Sequence, residues 1–217
     1  MNDLNIRVMG DAAVLVEVGE TLDVSLNARV HALARELDQV RGVVSIVPGY
    51  TTLLLEYDPA LCEYDALLQQ ILRAAESRAA SSIQDTRLIE IPVRYGGEFG
   101  PDLEFVAQHN GISVEQVIAI HTRDIYQVFM LGFAPGFPYM GIVNEKIAAP
   151  RLETPRQRVP AGSVGIAGRQ TGIYPRESPG GWRVIGRTDV KLFDAQSEPP
   201  TLLRAGDRVK FVNVGNS

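Results

Sequence analysis

Glycine and proline are concentrated between residues 132 and 186, and this clustering constrains the fold more than any other feature of the chain. The segment holds 10 of the 20 glycines and 7 of the 13 prolines in the 217-residue sequence. Because glycine readily adopts positive φ and proline fixes φ, the backbone there must turn repeatedly. The segment therefore predicts tight turns that shape the wall of a binding site for a ligand or partner.

Arginine is concentrated in the same region. Residues 150–188 contain seven arginines and two glutamates, a net charge of +5, although the whole chain has a net charge of −5. A guanidinium group binds carboxylate or phosphate with two parallel hydrogen bonds. This charge asymmetry predicts an anionic small molecule or an acidic protein surface as the ligand.

Composition and motifs exclude several classes of function. A pI of about 5.3 argues against general nucleic-acid binding, which needs a broad basic face. The sequence has no apolar run approaching the roughly 20 residues that span a bilayer and no signal peptide, so we expect a cytoplasmic protein without a membrane role. It has no P-loop, and His31, His109 and His121 lack metal-ligand spacing, so we predict no metal site.

The first 95 residues predict two repeats of one pattern of strands and helices. Asp23 is a candidate N-cap for the first helix. The predicted order is β-α-β-β-α-β, a ferredoxin-like unit in which two helices cover one face of an antiparallel sheet. In chain order, the elements are a strand at 13–18, a helix at 26–40, strands at 43–47 and 51–57, a helix at 64–75 and a strand at 87–93.

We place the domain boundary between Ser82 and Thr86, which divides the chain into residues 1–84 and 85–217. The second part begins with two predicted helices, and Ser113 and Gln116 have the spacing of a capping box at the second. Short strands then follow at 126–131, 163–167, 183–186 and 208–212. The predicted fold class is α+β, with a small closed β-barrel or sandwich in the second domain.

Aromatic and glycine residues are the main candidates for a pocket. Two glycines precede Trp182, the only tryptophan, and would let the backbone approach a ligand closely. Flat apolar walls with polar tips could come from Phe133, Phe137, Tyr139, Tyr174 and Trp182. The same aromatic residues also suit a barrel core.

Three further side chains have two interpretations each. Arg156 and Arg158 have prolines on both sides, so they could be held stiffly for anion binding or could lie on a solvated surface. His121 ends a predicted helix and is either a general acid/base or a residue that caps the helix. No base is visible for Ser163 or Ser178, so a serine hydrolase is unsupported.

These motifs together resemble the family of the B subunit of 5-oxoprolinase, which also includes the KipI sporulation-kinase inhibitor and the allophanate hydrolase subunit 1 domain. The resemblance covers nearly the whole chain. Arg94 and Asp189 depart from the family pattern, which has cysteine and proline there, and residues 140–142 read Met-Gly-Ile instead of Leu-Gly-Gly. The segments that carry the resemblance are 10–13, 27–30, 48–52, 95–103, 121–122, 131–139, 150–151, 155–156, 159–168, 171–175, 178–182 and 185–188.

The resemblance implies a two-domain subunit whose second domain, after the predicted ferredoxin-like domain, is a cyclophilin-like barrel. Because the sequence shows no P-loop, metal-ligand set or catalytic triad, we expect the isolated chain to be inactive. The resemblance implies partnership with a KipA-like protein and a LamB/YcsF-type protein, the other two subunits of a 5-oxoprolinase. It also implies ATP-dependent opening of 5-oxo-L-proline to L-glutamate, with ATP and Mg shared among subunits. We predict His121 and Arg158 as catalytic residues. The predicted substrate-binding residues are Phe133, Gly136, Phe137, Arg156, Ser163, Tyr174, Gly180, Gly181, Trp182 and Arg187.

Two other functions fit the same motifs. A KipI-type protein would bind a sensor histidine kinase, and an allophanate hydrolase type would process urea-derived substrates. The sequence does not separate these alternatives, because the shared motifs are the same in all three.

Overall fold

The computed structural model describes residues 4–76 and 86–215. The chain separates into two compact units, Met1–Gln84 and Asp85–Ser217. Of the predicted boundary between Ser82 and Thr86, only Thr86 lies within the described residues. No helix in the described part of the chain is both long enough and apolar enough to cross a membrane.

In its described residues, 4–76, the N-terminal unit consists of a four-stranded antiparallel sheet and two helices. The sheet order is β1-β2-β4-β3, and Asp23 caps the first helix by accepting hydrogen bonds from the N–H groups of Ser25 and Leu26 at 2.7 and 3.1 Å. Alternate strand residues and one face of each helix form a core that includes Val16, Leu55 and Ile71. The elements are β1 (Asn5–Val8), β2 (Ala13–Glu17), α1 (Val24–Leu37), β3 (Val43–Pro48), β4 (Thr52–Tyr57) and α2 (Tyr64–Glu76).

The order of this unit corrects the predicted ferredoxin-like β-α-β-β-α-β pattern. An additional strand, β1, precedes the first predicted strand. The predicted sixth strand exists as β5 (Leu88–Tyr95), but it pairs with strands of the second unit. Hydrophobic alternation identifies a strand without revealing its partners. The N-terminal unit is therefore β-β-α-β-β-α.

The second unit contains a closed barrel, which is one of the two architectures predicted for it. Seven strands form it in the order β10-β7-β6-β13-β5-β12-β9, and β9 pairs with β10 to close it. Strands β8 and β11 form a separate two-stranded ribbon. After β5, the elements are α3 (Leu103–Asn110), α4 (Val114–Arg123), β6 (Ile125–Leu131), β7 (Pro138–Gly141), β8 (Arg156–Val159), β9 (Ser163–Ala167), β10 (Gln170–Ile173), β11 (Ser178–Gly180), β12 (Arg183–Arg187) and β13 (Arg208–Asn213).

The first and last strands of this unit lie side by side. β5 and β13 run parallel, with Leu88 opposite Arg208 at one end and Val93 opposite Asn213 at the other. Beside them, Nε of Arg87 donates a hydrogen bond of 3.0 Å to the buried carboxylate of Asp207, 120 positions later in the chain. The strand pairing and this hydrogen bond therefore join the beginning of the second unit to its end.

Candidate functional site

Predicted aromatic and glycine residues meet in one cleft, which we call the aromatic cleft. Its volume is about 120 Å³. The ring of Phe137 packs edge-on against those of Tyr139, Tyr174 and Trp182, with centroid distances of 4.8, 5.2 and 5.5 Å. Such contacts hold the rings in a fixed arrangement before any ligand binds. The cleft is lined by Phe133, Phe137, Tyr139, Arg151, Tyr174, Gly180, Gly181 and Trp182.

Two glycines allow this arrangement because no side chain would fit at their positions. A Cβ atom at Gly180 would lie 2.3 Å from the hydroxyl oxygen of Tyr174. A Cβ atom at Gly172 would lie 2.9 Å from Cζ of Phe137 and 3.0 Å from Cζ3 of Trp182. The glycine-rich sequence is therefore a packing requirement of the aromatic cleft.

Phe133 lies at the mouth of the aromatic cleft in a strained conformation. Its φ is 64°, in the left-handed region that bulky residues rarely adopt, and 62% of the residue is exposed. Its ring contacts those of Phe137 and Tyr174 edge-on at 5.5 and 6.4 Å. Strain of this kind costs about 1–3 kcal/mol and is often found at functional sites.

Arg151 is the cation of the aromatic cleft. Its Cζ lies 6.0 Å from the centre of the Trp182 ring, and it makes no ion pair with any residue in the described ranges. Burial raises the pKa of Tyr139 and of Tyr174, so both hydroxyls stay protonated at neutral pH. One available cation, neutral hydroxyls and an apolar wall suit a small anion that has an apolar ring or chain.

Arg156, by contrast, is bound to a buried carboxylate. Its two terminal nitrogens donate to Asp102 at 2.8 and 2.9 Å, and these hydrogen bonds raise the pKa of Arg156. The Asp102 side chain is 7% exposed and also accepts the backbone N–H of Val184 at 2.7 Å. Arg156 therefore connects the β8–β11 ribbon to the start of α3 and to β12, and its fork faces into the protein.

Three other predicted residues lie outside the aromatic cleft. Arg158 is on the ribbon with 83% of its side chain exposed, and its Nε is 3.7 Å from Glu177. Ser163 is fully buried at the start of β9. Gly136 has a φ of 80° and forms the turn before Phe137, where a Cβ atom would lie 2.9 Å from Cβ of Phe193.

Arg187 lines a second opening of about 410 Å³, which we call the arginine cleft. On its other side, Arg94 makes an ion pair of 2.6 Å with Asp189. The two single-residue departures from the family pattern are thus in direct contact. The arginine cleft is lined by Pro92, Arg94, Arg187, Thr188, Asp189, Val190, Val214 and Gly215.

His121 is fully buried in the barrel core and lines neither cleft. Its Nδ1 is 2.8 Å from the hydroxyl of Tyr95, and its Nε2 is 3.1 Å from the hydroxyl of Thr171. Because Thr171 donates its own proton to the carbonyl of Gly165 at 3.0 Å, we assign the histidine proton to Nε2. Burial lowers the pKa of His121 from 6.5 to about 3, so the ring is neutral at physiological pH.

The structure therefore brings together half of the predicted site residues. Sequence reasoning did not select Arg151, Arg94 or Asp189, although Arg151 follows Pro150 in one of the segments that carry the resemblance. Arg187 lines the arginine cleft, whereas His121, Gly136, Arg156, Arg158 and Ser163 line neither cleft. The predicted residues that share the aromatic cleft are Phe133, Phe137, Tyr174, Gly180, Gly181 and Trp182.

Comparison with known proteins gives consistent matches along almost the whole chain. The family model for the carboxyltransferase domain, subdomain C and D, matches residues 4–203. The B subunit of 5-oxoprolinase from Bacillus subtilis (strain 168) is 48% identical, over 96% of this chain and 92% of its own length. The proteins of that name from Escherichia coli O157:H7 and Haemophilus influenzae are 43% and 42% identical, over 94% and 98% of this chain.

Two longer proteins contain a similar region. The crystal structure of TTHA0988 superposes with a TM-score of 0.83 at 40% identity, and the match covers 98% of this chain but only 41% of TTHA0988. The urea amidolyase of Saccharomyces cerevisiae is 27% identical over 99% of this chain, which corresponds to 14% of that protein. Given the matched family model and the three relatives above 40% identity, the chain belongs to the carboxyltransferase subdomain C and D family and, within it, to the B subunits of 5-oxoprolinase.

Proposed function

We propose that this chain is a subunit of an ATP-dependent 5-oxoprolinase complex that opens 5-oxo-L-proline to L-glutamate. Its similarity, over nearly the full length, to three proteins named as B subunits of 5-oxoprolinase supports this function. The structural observation that carries the proposal is Arg151, which has no ion pair in the described residues and lies at an aromatic cleft of about 120 Å³. This volume is below the roughly 300–1,000 Å³ of typical drug-sized sites and suits a single-ring substrate.

Each part of 5-oxoproline has a counterpart in the aromatic cleft. Its carboxylate would pair with the guanidinium of Arg151. The flat lactam ring would lie against the apolar faces of Phe137 and Trp182, and the protonated hydroxyls of Tyr139 and Tyr174 offer hydrogen bonds to the lactam. The contribution of this chain to catalysis would be to bind and orient the substrate, without a covalent nucleophile of its own.

ATP, with Mg²⁺, is the proposed cofactor and would be shared with the partner subunits. When bound, it supplies the phosphoryl group that activates the resonance-stabilised lactam carbonyl. The sequence contains no P-loop, so this chain does not provide a complete nucleotide site of that type.

The proposed partners are a KipA-like protein and a LamB/YcsF-type protein, which would join this chain in a cytoplasmic complex. The similar region in TTHA0988 is part of a longer chain, which supports a module that works joined to other domains. We also propose that the isolated chain is inactive, because neither cleft contains a histidine or a nucleophile paired with a base.

A urea-processing role is the second candidate and receives less support. Identity falls from 42–48% for the 5-oxoprolinase relatives to 27% for the yeast urea amidolyase. The wall formed by Phe137 and Trp182 also suits a ring more than a carboxylated urea, which has no aliphatic carbon to bury. A KipI-type role as a kinase inhibitor stays an alternative that only a binding experiment separates.

Reconstitution tests these proposals directly. The chain is purified with and without its two natural partners, and ATP-dependent glutamate release from 5-oxoproline is measured beside ammonia release from urea. We expect glutamate release only when all three subunits are present. Full activity without this chain, or turnover by this chain alone, would contradict the proposal, and activity restricted to urea would favour the second candidate.

A further inference from the structure

Two arginines lie directly opposite each other on neighbouring barrel strands at the arginine cleft. Arg187 on β12 is the register partner of Arg94 on β5. Their guanidinium carbons lie 5.5 and 4.5 Å from the centre of the same ring, that of Phe99. Like charges in directly opposed positions destabilise a sheet. The fold therefore keeps two cations together at this place despite their mutual repulsion.

The protein neutralises only one of the two. Asp189 pairs with Arg94 at 2.6 Å, but the aspartate side chain is 81% exposed. Arg187 makes one long hydrogen bond, 3.5 Å from its Nη2 to the carbonyl oxygen of Glu98. Its Nε is buried and has no hydrogen-bond partner among the described residues. A buried donor without an acceptor is unfavourable, and Arg187 also has no carboxylate partner among the described residues.

We propose that the arginine cleft binds a phosphate-type oxyanion between Arg94 and Arg187, either as the free ion or as the terminal group of a small phosphorylated molecule. The carboxylate of Asp189 already shows that an oxyanion fits against Arg94, yet one carboxylate leaves Arg187 unsatisfied. A phosphate group has about −1.5 to −2 charges at pH 7 and three acceptor oxygens, which matches two guanidinium groups.

Asp189 would move aside when the anion binds. Its side chain is largely exposed, and exposed ion pairs contribute little to stability, so its displacement is cheap. The residue acts as an internal competitor that occupies Arg94 in the absence of ligand. This site is separate from the aromatic cleft, since no residue lines both. The proposal does not depend on the identity of the substrate that the aromatic cleft binds.

The test is isothermal titration calorimetry of the full chain with inorganic phosphate, at constant ionic strength maintained with chloride. We expect saturable binding that Arg94→Gln and Arg187→Gln each weaken about tenfold or more, because each removes a charge-assisted hydrogen bond. Asp189→Asn should strengthen binding by roughly threefold to tenfold, because the competing charge is removed. A residue with only a structural role would not produce this gain.

The exposed pair formed by Arg169 and Glu145 is the matched control. It has a separation of 3.1 Å and lines neither cleft, so Arg169→Gln and Glu145→Gln should leave phosphate affinity unchanged. Arg187→Lys keeps the charge and provides a second variant if Arg187→Gln does not fold. Titration with Mg-free ATP in parallel shows whether a terminal phosphate binds more tightly than the free ion.

Two results would overturn the proposal. One is the absence of saturable phosphate binding by the wild-type chain. The other is binding that the Arg94, Arg187 and Asp189 variants change no more than the Arg169 and Glu145 controls do. Both are measured without partners or substrate, so they leave the proposed 5-oxoprolinase function untouched.

Discussion

The aromatic cleft and the arginine cleft lie in the same barrel unit but use cations in opposite ways. The aromatic cleft sets one arginine, Arg151, against several rings and leaves it without an ion pair in the described chain. The arginine cleft sets two arginines, Arg94 and Arg187, around the single ring of Phe99 and adds a carboxylate. The first suits a mostly apolar ligand with one negative charge, and the second suits a compact and highly charged one.

The comparison teaches that an arginine cannot be assigned to binding from its neighbours in sequence. Arg151 and Arg156 lie five positions apart beside prolines, yet only Arg156 has a buried carboxylate as its partner. That carboxylate, Asp102, is 54 positions away. Whether a guanidinium can bind a ligand therefore depends on which carboxylate the fold brings to it.

The largest effect we expect is from Arg156→Ala, which should destabilise the barrel unit by about 2–3 kcal/mol. The change leaves Asp102 buried without its bidentate partner, and partial exposure of Arg156 keeps the loss below the 3–5 kcal/mol of a fully buried pair. Denaturant unfolding and a melting curve measure it. Arg158→Ala on the same strand is the stability control. A normal melting curve with weakened substrate binding would instead restore the role in binding that the sequence predicted for Arg156.

Arg151→Gln should reduce kcat/KM for 5-oxoproline in the assembled complex by roughly tenfold to hundredfold without changing the melting temperature. The reason is the loss of a charge-assisted hydrogen bond worth about 1.5–3 kcal/mol, with no internal partner left unpaired. Steady-state kinetics with varied 5-oxoproline measures the effect. Arg176→Gln is the control, because Arg176 is exposed and lines neither cleft. Unchanged kinetics for Arg151→Gln would remove the distinction between the two clefts.

The pH dependence of stability tests the position of His121, which is buried in the barrel core and lines neither cleft. Burial lowers the pKa of His121 from 6.5 to about 3, so below pH 6.5 the unfolded chain binds a proton that the folded chain does not. Stability should therefore fall as pH decreases from 6.5 towards 3, and His121 should contribute up to about 1.4 kcal/mol per pH unit.

Unfolding at several pH values and NMR of the histidine rings measure this effect. We expect His121→Gln to lose that part of the slope and the exposed-residue variant His109→Gln to retain it. The His121 ring signals should not titrate between pH 8 and 5. Titration of His121 near pH 6.5 would contradict its placement in the core.

The smallest effect we expect is from Asp189→Asn, which should change the free energy of unfolding by less than about 1 kcal/mol. Its ion pair with Arg94 is exposed, and such pairs contribute roughly 0–1 kcal/mol. Chemical denaturation beside the Arg156→Ala variant gives a direct contrast between an exposed and a buried pair. A loss as large as that of Arg156→Ala would make the Arg94 pair structural and would weaken the case for a ligand in the arginine cleft.

Local features of the fold were predictable from the sequence, whereas strand partners were not. The N-cap at Asp23 and the capping box of Ser113 and Gln116 were predicted from residue spacing and are confirmed. Short strands and turns predicted either a closed barrel or a sandwich, and the closed barrel is confirmed. The sequence did not predict β1, which has only four residues. The alternation in β5 predicted a strand but could not show that this strand pairs with β12 and β13.

In the candidate site, too, local groupings were predictable and long-range partners were not. Glycines and aromatics could be grouped from the sequence because Gly180, Gly181 and Trp182 are adjacent in the chain, at the end of β11 and directly after it. The partners of Arg156 and His121 could not be predicted. Asp102, Tyr95 and Thr171 approach them only after the barrel has closed.

The parallel pairing of β5 with β13 has a consequence for protein synthesis. The four described strands of the N-terminal unit lie within residues 5–57, so its sheet can assemble early in translation. The barrel cannot close at that time, because β5 pairs with β13, which is synthesised much later. Beside these strands, Arg87 binds Asp207, which lies 120 positions further along the chain. During that interval β5 has an unpaired edge, where a nascent chain is most exposed to incorrect pairing. Closure of the barrel must therefore follow the synthesis of β13.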